Sequence, residues 1–147
     1  MARQYKYSLA RRVINRFLIW MLKVGFAPKS YYLLTVNGRI TGNPHSVPVA
    51  LVEDGANRWL VAPYGEVDWV KNARAAQRVR LSRGKTVEGF GLREMPTDPS
   101  KAVLKQYLKS YPITKSYFNA QEDSELNEFE MDAKNKPVFE LIREDRI

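Results

Sequence analysis

Arg39, Thr41, Asn43, His45 and Ser46 stand close together between two apolar runs, and Asp68, Trp69, Lys71 and Asn72 follow one hairpin further along. A guanidinium, hydroxyls and an imidazole gathered at turns suit an anion. Arg39 can grip phosphate in a bidentate fork, Thr41 and Ser46 can donate hydroxyls, and a helix starting near Asp68 adds free backbone amides. Nothing among them forms a nucleophile and base pair. The single histidine and the absence of cysteine all but exclude imidazole and thiolate metal sites. Glu122, Asp123, Glu125, Glu128, Glu130 and Asp132 follow helical rather than metal-loop spacing and lack a loop glycine, so they read as a solvated helix face. No metal is expected. The stretch Leu33–Asn72 has the layout of a β-barrel face that holds a flat, anionic ligand.

Short elements must position these residues. Tyr31–Val36 is β-rich, the pairs at Asn37-Gly38 and Gly42-Asn43-Pro44 confine Arg39–Thr41 to a tight turn, and Ser46–Val52 alternates as a strand. A hairpin loop at residues 53–57 leads into Arg58–Ala62. From Asp68, Trp69, Asn72, Ala73 and Ala76 return to helical spacing, with Asp68 as the expected N-cap. Val79–Ser82 and Thr86–Met95 read as strands, Asp98 as the cap of a helix over Pro99–Leu108, and Gln121–Asp132 as an acidic helical tract. Pro137–Arg143 closes the set. About six strands with helices at the ends predict a mainly β, α+β architecture of the barrel type.

Before the barrel, Leu9, Val13, Phe17, Trp20, Met21 and Val24 form a helical stripe within Ser8–Val24, ended by Gly25 and Pro28. The chain therefore divides into a basic amphipathic helix, residues 1–29, and a barrel domain, residues 30–147. The net charge is +8, and residues 1–30 hold seven basic side chains and no acidic one. Two destinations are open for that stripe, the barrel wall or a lipid interface with Trp20 and Phe17 among acyl chains. Its apolar run is too short to span a bilayer. At 147 residues one core suffices, and a cysteine-free chain with no leader-like start suits the cytoplasm, or the inner face of the cell membrane if the helix binds lipid. Lys71, Arg74, Arg78, Arg80, Arg83 and Lys85, near Phe90, fall on different faces of a helix and a strand, so nucleic acid is not an expected partner.

The ordered set Gly38-Arg39-x-Thr41-Gly42-x-Pro44-x-x-x-Pro48, then Val61-Ala62-Pro63-Tyr64-Gly65, then Trp69-x-x-Asn72, resembles the deazaflavin-dependent nitroreductase family over about residues 30–143. The resemblance implies a split β-barrel of the FMN-binding type that uses coenzyme F420. It also implies a cofactor site made from Arg39, Ile40, Thr41, His45, Ser46, Val47, Pro48, Val49, Ala50, Val61, Ala62, Pro63, Tyr64, Asp68, Trp69, Val70, Lys71 and Asn72. Tyr111 and Tyr117 match the segment that relatives place over the substrate, as substrate-face residues or proton donors, while Thr114 replaces an aromatic residue some of them carry. Ile40 and His45 stand where relatives often have lysine and arginine, so two permanent charges are missing, which Lys71, Arg74 or the N-terminal arm would have to offset.

The implied activity is hydride transfer from F420H2 to a small electrophile such as a quinone, an activated alkene or a nitroaromatic, with the cofactor supplying the chemistry and the protein distance, orientation and dryness. Two other readings remain open: an FMN-dependent oxidoreductase on the same fold, and a carrier of F420 or an apolar ligand without turnover. The resemblance leaves monomer and homodimer open, since split barrels often dimerise whereas the relatives most like this chain are commonly monomers. Trp69 has a second possible role as a core anchor of its helix, and Asn72 as the cap of a loop.

Overall fold

In a computed structural model of the chain, residues 9–24 and 29–144 are described. Helix α1 (Leu9–Val24) precedes strands β1 (Tyr31–Asn37), β2 (Pro44–Asp54) and β3 (Asn57–Val61), helix α2 (Asp68–Ala76), and strands β4 (Arg78–Arg83) and β5 (Thr86–Glu94). Helix α3 (Thr97–Ser110), two short 3-10 turns (Pro112–Tyr117 and Leu126–Phe129), helix α4 (Glu130–Asn135) and strand β6 (Val138–Arg143) complete the order.

The six strands close into one antiparallel barrel in the order β1-β2-β3-β6-β5-β4. Closure removes every free sheet edge. Strand alternation then sorts the side chains. Leu34, Val36, Leu51, Leu60, Leu81 and Phe139 point into the barrel core, whereas Ala50, Val52, Val61 and Val138 point outward beneath α3 and pack on Val103, Leu104 and Leu108. Helix α2 lies across one mouth, with Val70 and Ala73 fully buried in the barrel core. Arg58 lies over two rings, its guanidinium 5.2 Å from the ring centres of both Tyr32 and Phe90.

Each strand read from the sequence is present, with ends moved by a residue or two. The helix starts differ. Val67, in an extended conformation, is the N-cap of α2, no side chain caps it, and Asp68 is already the first helical residue. Likewise Pro96 is the N-cap of α3, and Asp98 instead sits in its first turn and pairs with Lys101 at 2.9 Å. In both cases the carboxylate faces the positive helix end without bonding its amides. The acidic tract is not one helix either: residues 121–125 form turns, a 3-10 turn follows, and α4 begins only at Glu130.

Of the two destinations for α1, the structure shows packing on the barrel at one end. Near its end, Leu22 is buried against Leu33 of β1, and the Leu22 carbonyl accepts the Gly84 N–H at 2.7 Å. Val13, Ile14, Phe17 and Trp20 remain exposed.

Candidate functional site at the barrel mouth

The β1–β2 connection, residues 38–43, is a closed loop. Gly38 N–H donates to the Asn43 carbonyl at 2.8 Å, Gly42 N–H returns to the Gly38 carbonyl at 2.9 Å, and the Thr41 hydroxyl accepts the Asn43 N–H at 3.2 Å. Gly42 has φ +78°, a conformation that favours glycine. Gly38 is needed for another reason: a Cβ there would lie 2.9 Å from Nε2 of His45, whose ring covers it. The loop thus presents Arg39, Ile40 and Thr41 at the rim, with His45 beside them and all four exposed.

Arg39 is tied to α2. Oδ1 of the buried Asn72 accepts both the Arg39 backbone N–H at 3.0 Å and its Nη1 at 2.7 Å, while Asp68 Oδ1 lies 3.7 Å from Nη2. Asn72 therefore caps the loop. Because no side chain caps α2, the first amides of its N-terminal turn stay available to a ligand. Next along the rim, the Ser46 hydroxyl pairs with that of Thr35 at 2.8 Å, and Lys71 is exposed on α2.

The remaining expected residues separate by face. Val49, Ala62 and Val70 have their side chains in the barrel core, so only their backbone groups can reach a ligand. Val47 and Trp69 are partly buried against that core, Trp69 with its ring 6.3 Å from that of Phe139. Ala50 and Val61 lie in the layer beneath α3, and Pro48, Pro63 and Tyr64 are half-buried. Tyr64 meets Tyr117 edge to face at 5.0 Å, which brings together two residues from distant parts of the sequence. Tyr111 is placed elsewhere: its hydroxyl donates to the Leu51 carbonyl at 2.7 Å, and its ring packs on Tyr31 and Tyr107. Thr114 is buried and donates its hydroxyl to the Tyr111 carbonyl at 2.8 Å.

Arg74 is not the spare cation that its sequence position suggests. Glu94 holds it through two bonds of 2.9 and 2.8 Å and Glu66 through one of 2.7 Å, and these bonds push its pKa upward. A cleft of about 370 Å³ beside it, lined by Glu94, Met95 and Lys134, and one of about 350 Å³ near Tyr111, Ser30 and Glu53, include neither Arg39 nor Tyr117. Among the described residues no group of His, Asp or Glu is arranged to hold a metal. Tyr107, buried beneath Tyr111 and Phe118, was not among the expected site residues, and Asp132, expected on a solvated helix face, is instead fully buried with Lys136. The only trace of the first is its place on the apolar face of α3 at a spacing of four from Tyr111.

A closed six-stranded antiparallel barrel with flanking helices and an anion-competent loop at one mouth is the split-barrel, FMN-binding-like fold. The chain belongs to the F420H2-dependent quinone reductase family, whose model matches residues 22–126. It is accordingly an enzyme, an oxidoreductase with coenzyme F420 as cofactor. Among solved structures, one described as an F420-H2 dependent reductase is 23% identical, with a TM-score of 0.56 over 77% of this chain and 94% of that one. One described as a domain-swapped dimer is 22% identical, with a TM-score of 0.58 over 90% and 96%. An FAD-binding protein from Mesorhizobium loti is 14% identical, with a TM-score of 0.51 over 88% of each chain. These likenesses show the fold. No curated protein matches the chain.

The donor set fits the cofactor's anionic part: a guanidinium held in place stands against the uncapped start of α2.

Proposed function

We propose that the enzyme reduces small electrophilic acceptors, quinones foremost and activated alkenes or nitroaromatics beside them, with the expected residues at the barrel mouth forming its site. When bound, F420H2 supplies a hydride. Arg39 holds the phosphate or the first carboxylate of the tail, the α2 start and the Ser46 hydroxyl add donors, and backbone groups at the ends of β2 and β3 orient the ring. The observation that carries this reading is the Arg39 side chain fixed against the uncapped start of α2. Tyr117 is the proton donor of choice, because it stands edge to face against Tyr64 of the expected cofactor segment.

The test is a fluorescence titration of the purified protein with F420 beside a parallel one with FMN, repeated with Arg39→Ala. Saturable F420 binding that weakens about 10- to 100-fold in the variant is expected, the range of a lost charge-assisted hydrogen bond of roughly 1.5–3 kcal/mol. A preference for FMN, or F420 binding indifferent to Arg39, overturns the assignment. Rapid single-turnover oxidation of bound F420H2 by an added quinone separates turnover from mere carriage.

The same proposal extends to location. The exposed Phe17 and Trp20 on a helix with basic and no acidic side chains suit an anionic lipid surface, where lipophilic quinones reside. The relative described as a domain-swapped dimer supports a homodimer, which light scattering of the full chain would test.

A further inference from the structure

Between Asn37 and Asn57 the chain has one Lys or Arg, Arg39, and two residues of α2 address it four positions apart. They do so in different ways. Asn72 is neutral, 6% exposed and accepts both the Arg39 backbone N–H and its Nη1, so it fixes the residue's backbone and one end of the guanidinium without cancelling its charge. The Asp68 side chain is 89% exposed, and its 3.7 Å approach to Nη2 is longer than a hydrogen bond. A solvated carboxylate at that distance is weakly held and free to swing away.

We propose that α2 governs Arg39 through both residues: Asn72 is the positioning residue that aims the guanidinium at the ligand, and Asp68 is a displaceable counter-ion whose place at Nη2 the ligand's own anionic oxygen takes. The inference rests on Arg39 being the anion contact of the F420 site. Its consequence is a pair of effects with opposite signs. Without the Asn72 amide, Arg39 loses the bonds that fix it and collapses onto Asp68, which weakens ligand binding. Without the Asp68 charge, the ligand displaces nothing and binds more tightly. Because Ile40 and His45 leave the loop with no second permanent cation, the Asp68 effect is not masked by neighbours on that loop.

The experiment is the F420 titration of the full chain as wild type, Asp68→Asn, Asn72→Ala, Asn72→Ser, Arg39→Ala and the Asn72→Ala/Arg39→Ala double variant, at low and at high salt. Asp68→Asn is expected to bind about threefold more tightly at low salt, with the gain lost at roughly 1 M salt, where charges are screened within about 3 Å. Asn72→Ala is expected to bind about tenfold more weakly, with most of that loss absent in the Arg39→Ala background, where only the bond to the residue-39 backbone N–H is left to lose. Asn72→Ser, which keeps an acceptor oxygen, falls between them. Unchanged or weaker binding by Asp68→Asn overturns the inference, as does an Asn72→Ala loss that persists at full size without the Arg39 side chain. If the wild type binds F420 while Asp68→Asn behaves identically, only this inference fails. If the wild type does not bind F420, the functional reading fails and takes the inference with it.

Discussion

Asp132 has no exposed surface, and a carboxylate in that position must be matched or it destabilises the fold. It accepts Lys136 Nζ at 3.1 Å and the backbone N–H groups of Asn119 and Ala120, each at 2.9 Å, while the Lys136 ammonium lies 5.0 Å from the Phe118 ring centre. The bonds fix the segment directly after Tyr117. Asp132→Ala would leave Lys136 as a buried, unpaired cation and two amides without an acceptor, at a cost of about 3–5 kcal/mol. That is a large part of the roughly 5–15 kcal/mol that holds a domain folded. Urea denaturation should show the midpoint falling sharply, with Asp132→Asn less affected because it keeps one acceptor oxygen. A loss below about 1 kcal/mol in Asp132→Ala, the size of an ordinary surface pair, would show the group to be solvated after all.

At the scale of elements, what the sequence made legible was local. Alternation and turn glycines sufficed for six strands and for the loop that carries Arg39, since both depend on residues a few positions apart. The helix starts at Asp68 and Asp98 were misplaced because a carboxylate suits the first turn as well as the cap. Asp132 looked like part of a solvated face because its partners, Asn119 and Ala120, come from a segment that only the fold brings near. The same holds for Tyr64 and Tyr117.

The tyrosine layer between β2 and α3 is likewise visible only in three dimensions, and it makes the fold sensitive to alkali. Burial pushes the phenols of Tyr31, Tyr111 and, above all, Tyr107 upward from 10.0. A folded-state value above the unfolded one means that the unfolded chain releases those protons first. The stabilisation is complete below pH 10 and is lost as pH rises through the folded values. Phenolate absorbance followed with circular dichroism should show part of the eight tyrosines ionising normally and the rest only as the protein unfolds. Complete ionisation near pH 10 with the barrel signal intact would contradict this.

For the molecule as a whole, charge and shape converge on α1. The barrel is closed and has no free edge, and on the helix laid against its side four apolar side chains stand exposed within two turns, Val13 and Ile14 with the aromatic Phe17, 62% exposed, and Trp20, 58% exposed. Arg12, Arg16 and Lys23 are exposed on the same helix, which carries no carboxylate. No helix among the described residues is long and apolar enough to cross a bilayer, so the contact proposed is peripheral. Sinking Phe17 and Trp20 into the interface would contribute roughly 1.5–3 kcal/mol each, and each cation near an anionic leaflet about 1 kcal/mol. The full chain should therefore float with vesicles rich in anionic phospholipid, and much less with zwitterionic ones. Phe17→Ser/Trp20→Ser should abolish flotation without changing the melting temperature, since both side chains are exposed and the latch at Leu22 is untouched. Flotation by neither protein would leave the apolar face of α1 without a lipid partner, and flotation unchanged in the double variant would assign the contact to charge alone.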